Sequence, residues 1–175
     1  MIKLFEAAKQ LQAFCDAQGR RSCFIGGLAV QKWGGHAPRW MSISPCWPDL
    51  AVKAGSSTRH RVLLLRTPDG VGIDVSLGAL PFEERVISRA SLFSFGPGLD
   101  IRTCSAEDFI VLKLFASRPL DVRDAEGVAV RQGQLDWQYI EDQLRPLAEI
   151  KGDPATLATM ARLRELAASR EAVES

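Results

Sequence analysis

Asp74 is the residue whose type and position in this sequence most directly suggest chemistry. It lies in Val71-Gly-Ile-Asp-Val-Ser-Leu77, where apolar residues alternate with small or polar ones, and this alternation predicts a β-strand. An ionised carboxylate in the middle of a strand is costly unless it faces water, a cation or a metal ion. Two interpretations are open: Asp74 is solvated or pairs with Arg61 or Arg66 of a partner strand, or it is a metal-binding carboxylate on a sheet.

The glycine pair Gly26-Gly27 lies between the apolar run Ser22-Cys-Phe-Ile25 and a short helical pattern from Leu28 to Trp33. A backbone without β carbons can approach phosphate groups closely. Free backbone amides and a helix dipole would then stabilise the negative charge of the phosphates. A plain tight turn explains the same pair, so both interpretations stay open.

Lys113 lies inside a predicted helix over residues 105–116, with apolar residues on every side. The lysine either reaches the surface or a carboxylate, or it contacts a phosphate group. Asp121 and Asp124 follow at a spacing typical of a helix start, and we expect them to act as capping residues there.

The elements that position these residues can be predicted from hydrophobic periodicity. Apolar residues at helical spacing, Phe5, Ala8, Leu11 and either Phe14 or Cys15, predict an opening helix over residues 2–18, with Gly19 as its C′ glycine. Residues 61–77 read as a β-hairpin with the turn Pro68-Asp69-Gly70.

From residue 81 onwards the pattern is mostly helical. We predict a short helix over Pro81 to Arg89 and an extended segment at residues 99–103, followed by a helix opened by the capping-box pattern Ser105-Ala-Glu-Asp108. Further helices are expected to start at Asp121, at Asp136 and near Asp153-Pro154.

Composition restricts the class of protein. The 175 residues include 46% hydrophobic and 25% charged residues with a net charge of +1, which predicts one soluble domain without a one-sided field for nucleic acid or membranes. Four cysteines without a C-x-x-C pair and two histidines offer little for a zinc site. Charges break the apolar run at the N-terminus, and no stretch approaches a membrane span, so we expect a cytoplasmic chain with no membrane partner.

Three segments resemble a known family: Phe24-Ile-Gly-Gly-Leu-Ala-Val-Gln-Lys-Trp-Gly, Arg61-Val-Leu-Leu-Leu-Arg-Thr-Pro-Asp-Gly-Val-Gly-Ile-Asp-Val, and Ser105-Ala-Glu-Asp-Phe-Ile-Val-Leu-Lys-Leu-Phe-Ala-Ser-Arg-Pro-Leu-Asp-Val-Arg-Asp. Together they resemble the nucleotidyltransferases of the AbiEii/AbiGii toxin type, in the polymerase-β-like superfamily. The resemblance runs from about residue 1 to about residue 150 and is most specific over residues 61–124.

In that family a glycine pair cradles the triphosphate, a D-x-D on the next strand and a third carboxylate on a later strand bind two Mg²⁺, and a helical lysine supports the nucleotide. By position, the resemblance implies that Gly26, Gly27, Lys113 and Arg118 bind an NTP. It also implies that Asp74 is a Mg²⁺ ligand, with Asp74 and Lys113 as the catalytic residues. Asp121 and Asp124 match the segment after the lysine.

The D-x-D expected shortly after Trp33 is missing. Between Gly27 and Asp74 the only acidic residues are Asp49 and Asp69, and the latter belongs to the hairpin turn. Two-metal phosphoryl transfer needs several hard oxygen ligands, so we expect weakened Mg²⁺ binding and an attacking oxygen that is not activated.

Residues 40–60 are predicted to be irregular and poorly packed. Pro45, Pro48 and Gly55-Ser-Ser break regular structure, and Trp40 and Trp47 follow no periodic pattern.

A frameshift is one hypothesis for this segment. Trp40-Met41 must be encoded TGG ATG, and with suitable codons for the next three residues, dropping the first two bases gives GAT GTC GAT ATC. That sequence encodes Asp-Val-Asp-Ile, and its first Asp-Val is forced by Trp, Met and any TC- serine codon. The nucleotide sequence over codons 36–60 tests the hypothesis.

These observations lead to a set of expectations. The fold is α+β: a nucleotidyltransferase-like core over residues 1–104, with a small mixed sheet, and a helical region over residues 105–175 packed on it as one structural domain. The resemblance implies NMP transfer from an NTP to an RNA or protein hydroxyl in a toxin–antitoxin pair, with a cognate antitoxin and an RNA acceptor as partners, and we expect this activity to be impaired. The alternative is a non-catalytic module that binds a nucleotide or a partner.

Overall fold

The computed structural model describes residues 2–34, 40–45, 62–68, 70–76 and 80–174, which form six strands and seven helices. The strands are β1 (Ser22–Phe24), β2 (Trp40–Pro45), β3 (Val62–Arg66), β4 (Gly72–Ser76), β5 (Ser91–Ser94) and β6 (Asp100–Thr103). The helices are α1 (Ile2–Ala17), α2 (Gly27–Lys32), α3 (Pro81–Arg89), α4 (Ala106–Ala116), α5 (Pro119–Arg131), α6 (Trp137–Lys151) and α7 (Ala155–Glu174).

The strands form a single mixed sheet in the order β3-β4-β2-β1-β6-β5. The pairs β1–β2, β3–β4 and β5–β6 are antiparallel, whereas β2–β4 and β1–β6 are parallel. A mixed sheet together with these helices confirms the predicted α+β class.

The chain divides into two compact units. One contains Met1–Lys32 and His36–Ser105, and the other contains Trp33–Gly35 and Ala106–Ser175. The first holds the whole sheet with α1, α2 and α3, and the second holds the four remaining helices. That the core and the helical region make one structural domain stays a prediction.

Helix α1 covers one face of the sheet. Its side chains Leu4, Ala8 and Cys15 are buried against a cluster formed by strand residues, Phe24, Met41, Ile43, Ile73, Val75 and Ile101. Of the two residues that the periodicity left open, Cys15 faces the core and Phe14 is 55% exposed. Gly19 follows the helix with a φ of 63°, which confirms the predicted C′ glycine.

The predicted hairpin is confirmed. Strands β3 and β4 pair antiparallel with Leu64 opposite Asp74, and Gly70 in the turn has a φ of 86°. The alternation of apolar residues determines which side chains of β4 point to the core, and the turn determines the register of β3 against β4. Both could therefore be predicted from the local sequence.

Strand β2 corrects the prediction for the start of the 40–60 segment. Trp40–Pro45 is a regular strand in the middle of the sheet, and Met41 and Ile43 are buried in the core. The physical reason is an alternation over residues 41–43, apolar-polar-apolar, which suits a half-buried strand, while Pro45 stands at the strand end where it is tolerated. Residues 46–60 lie outside the described part of the chain.

The helices of the second unit begin largely where their capping residues predict. Asp136 caps α6 by accepting a hydrogen bond from the backbone N–H of Tyr139 at 2.9 Å. Asp153 accepts from the N–H of Ala155 at the start of α7, which extends to Glu174. No helix in the described residues is both long and apolar enough to cross a membrane.

Candidate functional site

Asp74 lies at the centre of β4, between β2 and β3. It is directly opposite Ser42 of β2 and Leu64 of β3. Ile73 and Val75 on either side of it are buried, so the half-buried Asp74 occupies the other face of the sheet together with Gly72 and Ser76. The predicted position of Asp74, on a strand paired with residues 61–67 and between small neighbours, is confirmed.

Gly26 lies against the residue opposite Asp74. A β carbon built on Gly26 would be 2.5 Å from Oγ and 2.7 Å from Cβ of Ser42. The N–H of Ile25 also donates to the carbonyl oxygen of Ser42 at 3.0 Å. Gly26 therefore lies next to the Ser42 side chain, on the same face of the sheet as Asp74.

The glycine pair also starts a helix. The carbonyl oxygen of Gly26 accepts the N–H of Val30 at 3.0 Å, and α2 begins at Gly27. The close approach to Ser42 is a structural reason for a glycine at position 26. Phosphate binding by Gly26 and Gly27 stays a prediction.

The described residues around Asp74 do not fit the two-Mg²⁺ site that the resemblance implies. In those parts of the chain, no group of three or more His, Cys, Asp or Glu side chains is arranged to hold a metal ion. Asp74 has a neutral hydroxyl residue on one side and an apolar residue on the other. Asp49 and Asp69, the other acidic residues of this stretch, lie outside the described residues.

Lys113, in the second unit, binds two carboxylates. Its Nζ lies 2.8 Å from Oδ1 of Asp121 and 2.7 Å from Oδ2 of Asp124, and 5.4 Å from the ring centre of Phe109. The lysine is thus salt-bridged, one of the two interpretations left open by the sequence. Its contact with a nucleotide stays a prediction.

Asp121 corrects a second prediction, because it does not cap a helix. Arg118 occupies the N-cap position of α5, Pro119 begins the helix, and Asp121 lies buried in the first turn. Proline at the first helical position has its φ already set, so the N-cap lies three residues before Asp121, at Arg118. Pro119 is visible in the sequence, so this helix start could have been predicted from it.

Arg118 and Lys113 together hold the carboxylate of Asp121. Arg118 Nε donates to Oδ2, while Lys113 donates to Oδ1. Burial by itself raises the pKa of the Asp121 carboxyl, but the hydrogen bonds and positive charges of Arg118 and Lys113 outweigh burial and lower that pKa below its usual value. Asp121 is therefore a buried, ionised carboxylate with two cationic partners.

A second buried carboxylate was missed by the sequence analysis. Asp108 is fully buried, and its Oδ1 accepts a hydrogen bond of 2.6 Å from the hydroxyl of Tyr139 on α6. In the sequence, Asp108 was interpreted only as part of the capping-box pattern at the start of a helix. No local pattern predicts its hydrogen bond with a tyrosine 31 residues later.

Comparisons with known proteins are sparse. No protein-family model matches the chain, and no curated protein matches it. Among solved structures, the chain is similar to an antigenic nucleotidyltransferase-like protein from Paracoccidioides brasiliensis, with 12% identity, coverage of 90% of this chain and 92% of the other, and a TM-score of 0.48.

Proposed function

We propose that this chain is a nucleotidyltransferase-like protein of the AbiEii/AbiGii toxin type in which transfer of NMP from an NTP to an RNA or protein hydroxyl is impaired. The observation that supports the impairment is the register of β2 against β4. The residue opposite Asp74 is Ser42, and β2 contains no acidic residue.

The argument depends on the number and charge of the metal ligands. Nucleotidyl transfer uses cations on both the attacking and the leaving oxygen, and Mg²⁺ sites in proteins are built on carboxylates. A serine hydroxyl is neutral and cannot offset the charge of a divalent ion. With Asp74 as the one carboxylate among the directly paired residues Ser42, Leu64 and Asp74, weak Mg²⁺ binding is the expected result.

The register also bears on where a D-x-D would belong. Positions 41 and 43 are buried in the apolar core, where two carboxylates would be prohibitively costly. Positions 40 and 42 are in register with Gly72 and Asp74, so carboxylates there would lie beside Asp74. In the frameshift hypothesis, the lost Asp-Val-Asp therefore occupied positions 40–42.

Nucleotide binding is the part of the function that we expect to remain, in a weakened form. Gly26 and Gly27 are the proposed phosphate-binding residues of the first unit, and Lys113 and Arg118 those of the second. The charges of Lys113 and Arg118 are balanced by Asp121 and Asp124. A triphosphate has to compete with these carboxylates, which lowers the expected affinity.

A non-catalytic partner-binding module is the alternative function. It is favoured by β3, an apolar strand whose side chains are largely exposed. The two functions differ in a simple measurement, because a nucleotide-binding remnant retains weak NTP affinity and a pure partner-binding module does not. A toxin of the proposed type would also co-purify with a cognate antitoxin, and a winged-helix antitoxin gene beside its own gene would support that partner.

The proposed impairment is tested by nucleotidyl transfer with Mg²⁺ and labelled NTPs. The unmodified chain is expected to label neither RNA nor protein above background. The double variant Trp40→Asp/Ser42→Asp is expected to gain activity, while Trp40→Asn/Ser42→Asn, matched in size but uncharged, is not. Transfer by the unmodified chain that is abolished in Asp74→Asn would show that the proposed impairment is wrong.

A further inference from the structure

Strand β3 is an edge strand with unusually exposed apolar side chains. Val62, Leu63, Leu64 and Leu65 are 43, 37, 78 and 51% exposed, and within the described residues β3 pairs with β4 alone. Edge strands in natural proteins are usually protected by charged side chains, prolines or bulges. Residues 62–65 contain neither a charge nor a proline, and the guanidinium of Arg66 is held at the hairpin turn by the carbonyl oxygen of Gly70 at 2.9 Å.

The hydrogen-bonding phase of the hairpin shows which backbone groups of β3 point outwards. The N–H of Thr67 donates to the carbonyl oxygen of Val71. In an antiparallel pair the hydrogen-bonded positions alternate, so the N–H and C=O of Leu63 and Leu65 point to β4. Those of Val62, Leu64 and Arg66 point to the open edge.

We propose that β3 pairs antiparallel with β3 of a second copy of this chain, about a twofold axis at Leu64. This register uses the outward-pointing groups of Val62, Leu64 and Arg66 in both copies, which gives six backbone hydrogen bonds. It places Leu64 opposite Leu64, Leu63 opposite Leu65, and Val62 opposite the stem of Arg66. Each leucine of the strand therefore faces another leucine.

The alternative registers are worse. An axis at Leu63 or at Leu65 would pair the outward-pointing groups of only two residues in each copy, Val62 with Leu64 or Leu64 with Arg66, and would give four backbone hydrogen bonds instead of six. An axis at Arg66 would oppose two guanidinium groups and bring Pro68, which lacks an N–H, opposite Leu64. An axis at Val62 would place only Val62 itself opposite a described strand residue of the partner, because positions 63–66 would face positions 58–61.

The strand itself favours a second copy over a different partner. Residues 62–65 have no charge with which an acidic or basic partner strand could pair. An identical strand, in contrast, pairs with all five residues of β3. The contact is small compared with the ~1,200–2,000 Å² that stable complexes bury, so the dimer is weak and depends on concentration. In it the two Asp74 residues share one face of a continuous sheet, about 14 Å apart across three strand spacings.

Analytical ultracentrifugation of the whole chain over about a hundredfold range of concentration tests the pairing. A monomer–dimer equilibrium is expected, and Leu64→Lys is expected to raise its dissociation constant at least about tenfold. The matched control is Leu92→Lys, a 60% exposed leucine on the opposite edge strand β5, which should leave the dimer unchanged. A monomer at every concentration, open-ended polymers, or a dimer abolished by Leu92→Lys and not by Leu64→Lys would each overturn the proposal.

Disulfide trapping tests the register without relying on a charged variant. Residues opposite each other in a hydrogen-bonded antiparallel pair have Cα atoms about 5.5 Å apart, within the range of a disulfide. In a Cys46→Ser background, Leu64→Cys is therefore expected to form a covalent dimer under mild oxidation, and Leu92→Cys is not. Trapping at position 92 alone, or at neither position, would contradict pairing through β3.

Discussion

A β carbon on Gly26 would lie 2.5 Å from Oγ of Ser42, so these two residues form a contact that only glycine allows without a shift. The backbone N of Ser42 is also close to that position, at 3.1 Å, so rotation of the serine hydroxyl alone does not relieve the overlap. We expect Gly26→Ala to reduce the free energy of unfolding by about 1–3 kcal/mol, measured by urea denaturation.

A matched control for Gly26 is Gly127, which lies inside α5 with only the flexible Arg131 side chain near its missing β carbon, at 3.5 Å. Gly127→Ala is expected to stabilise the chain by up to about 1 kcal/mol, because alanine favours a helix interior. Equal effects of the two substitutions would refute the close contact at Gly26.

The hydroxyl of Tyr139 provides a second test of the structure. Tyr139→Phe removes a donor from the buried carboxylate of Asp108, and the loss of a partner from a buried polar group costs about 1–3 kcal/mol of unfolding free energy. Gln138→Ala changes the neighbouring exposed residue and is expected to have an effect within about 0.5 kcal/mol. If both variants unfold at the same urea concentration as the parent, the buried hydrogen bond is absent in solution.

The hairpin could be predicted from the sequence because its information is local. Pro68 and Gly70 define the turn, and the alternation Ile73, Asp74, Val75 sets the face of each side chain. Strand β2 was missed because its position depends on pairing with β1 and β4, which are distant in sequence. The alternation of apolar and polar residues in β2 covers only positions 41–43, and Trp40 and Pro45 beside it do not fit a strand pattern.

Strand β5 was missed for a related reason. Ser91-Leu-Phe-Ser94 is a four-residue edge strand whose side chains are all exposed, so it shows no buried face in the sequence. At the candidate site, Asp74 could be placed from the hairpin alone. The contact of Gly26 with Ser42 and the pairing of Lys113 with Asp121 could not, because each joins residues of different elements.

The pH dependence of stability tests the ion pairs of Asp121. The pKa of this carboxyl is lowered in the folded chain by Arg118 and Lys113, so its ionised form stabilises the fold above the pKa of the unfolded state. That stabilisation is lost as the pH falls through the lowered pKa. We expect Asp121→Asn to unfold more easily than the parent at neutral pH, by up to about 3 kcal/mol, and the difference to shrink as the solution becomes acidic.

Asp153→Asn is the control for Asp121, because the pKa of Asp153 is also lowered, first by its hydrogen bond with Lys151, but the residue lies at the protein surface. Exposed pairs contribute little to stability, so this variant should follow the parent across the pH range. A pH profile of Asp121→Asn that runs parallel to that of the parent would exclude a stabilising charge at position 121.

NTP binding is the last quantity that we predict, and its dependence on Mg²⁺ distinguishes a metal site from simple phosphate recognition. The described residues offer Asp74 opposite a serine and a leucine, so a divalent ion gains little there. We therefore expect the dissociation constant for an NTP, measured by isothermal titration calorimetry, to change by less than about threefold between Mg²⁺ and EDTA, and Asp74→Asn to leave it within the same range. An affinity that rises about tenfold or more with Mg²⁺ and loses that rise in Asp74→Asn would mean that Asp74 does hold a metal ion, with a further ligand such as Asp49 from outside the described residues.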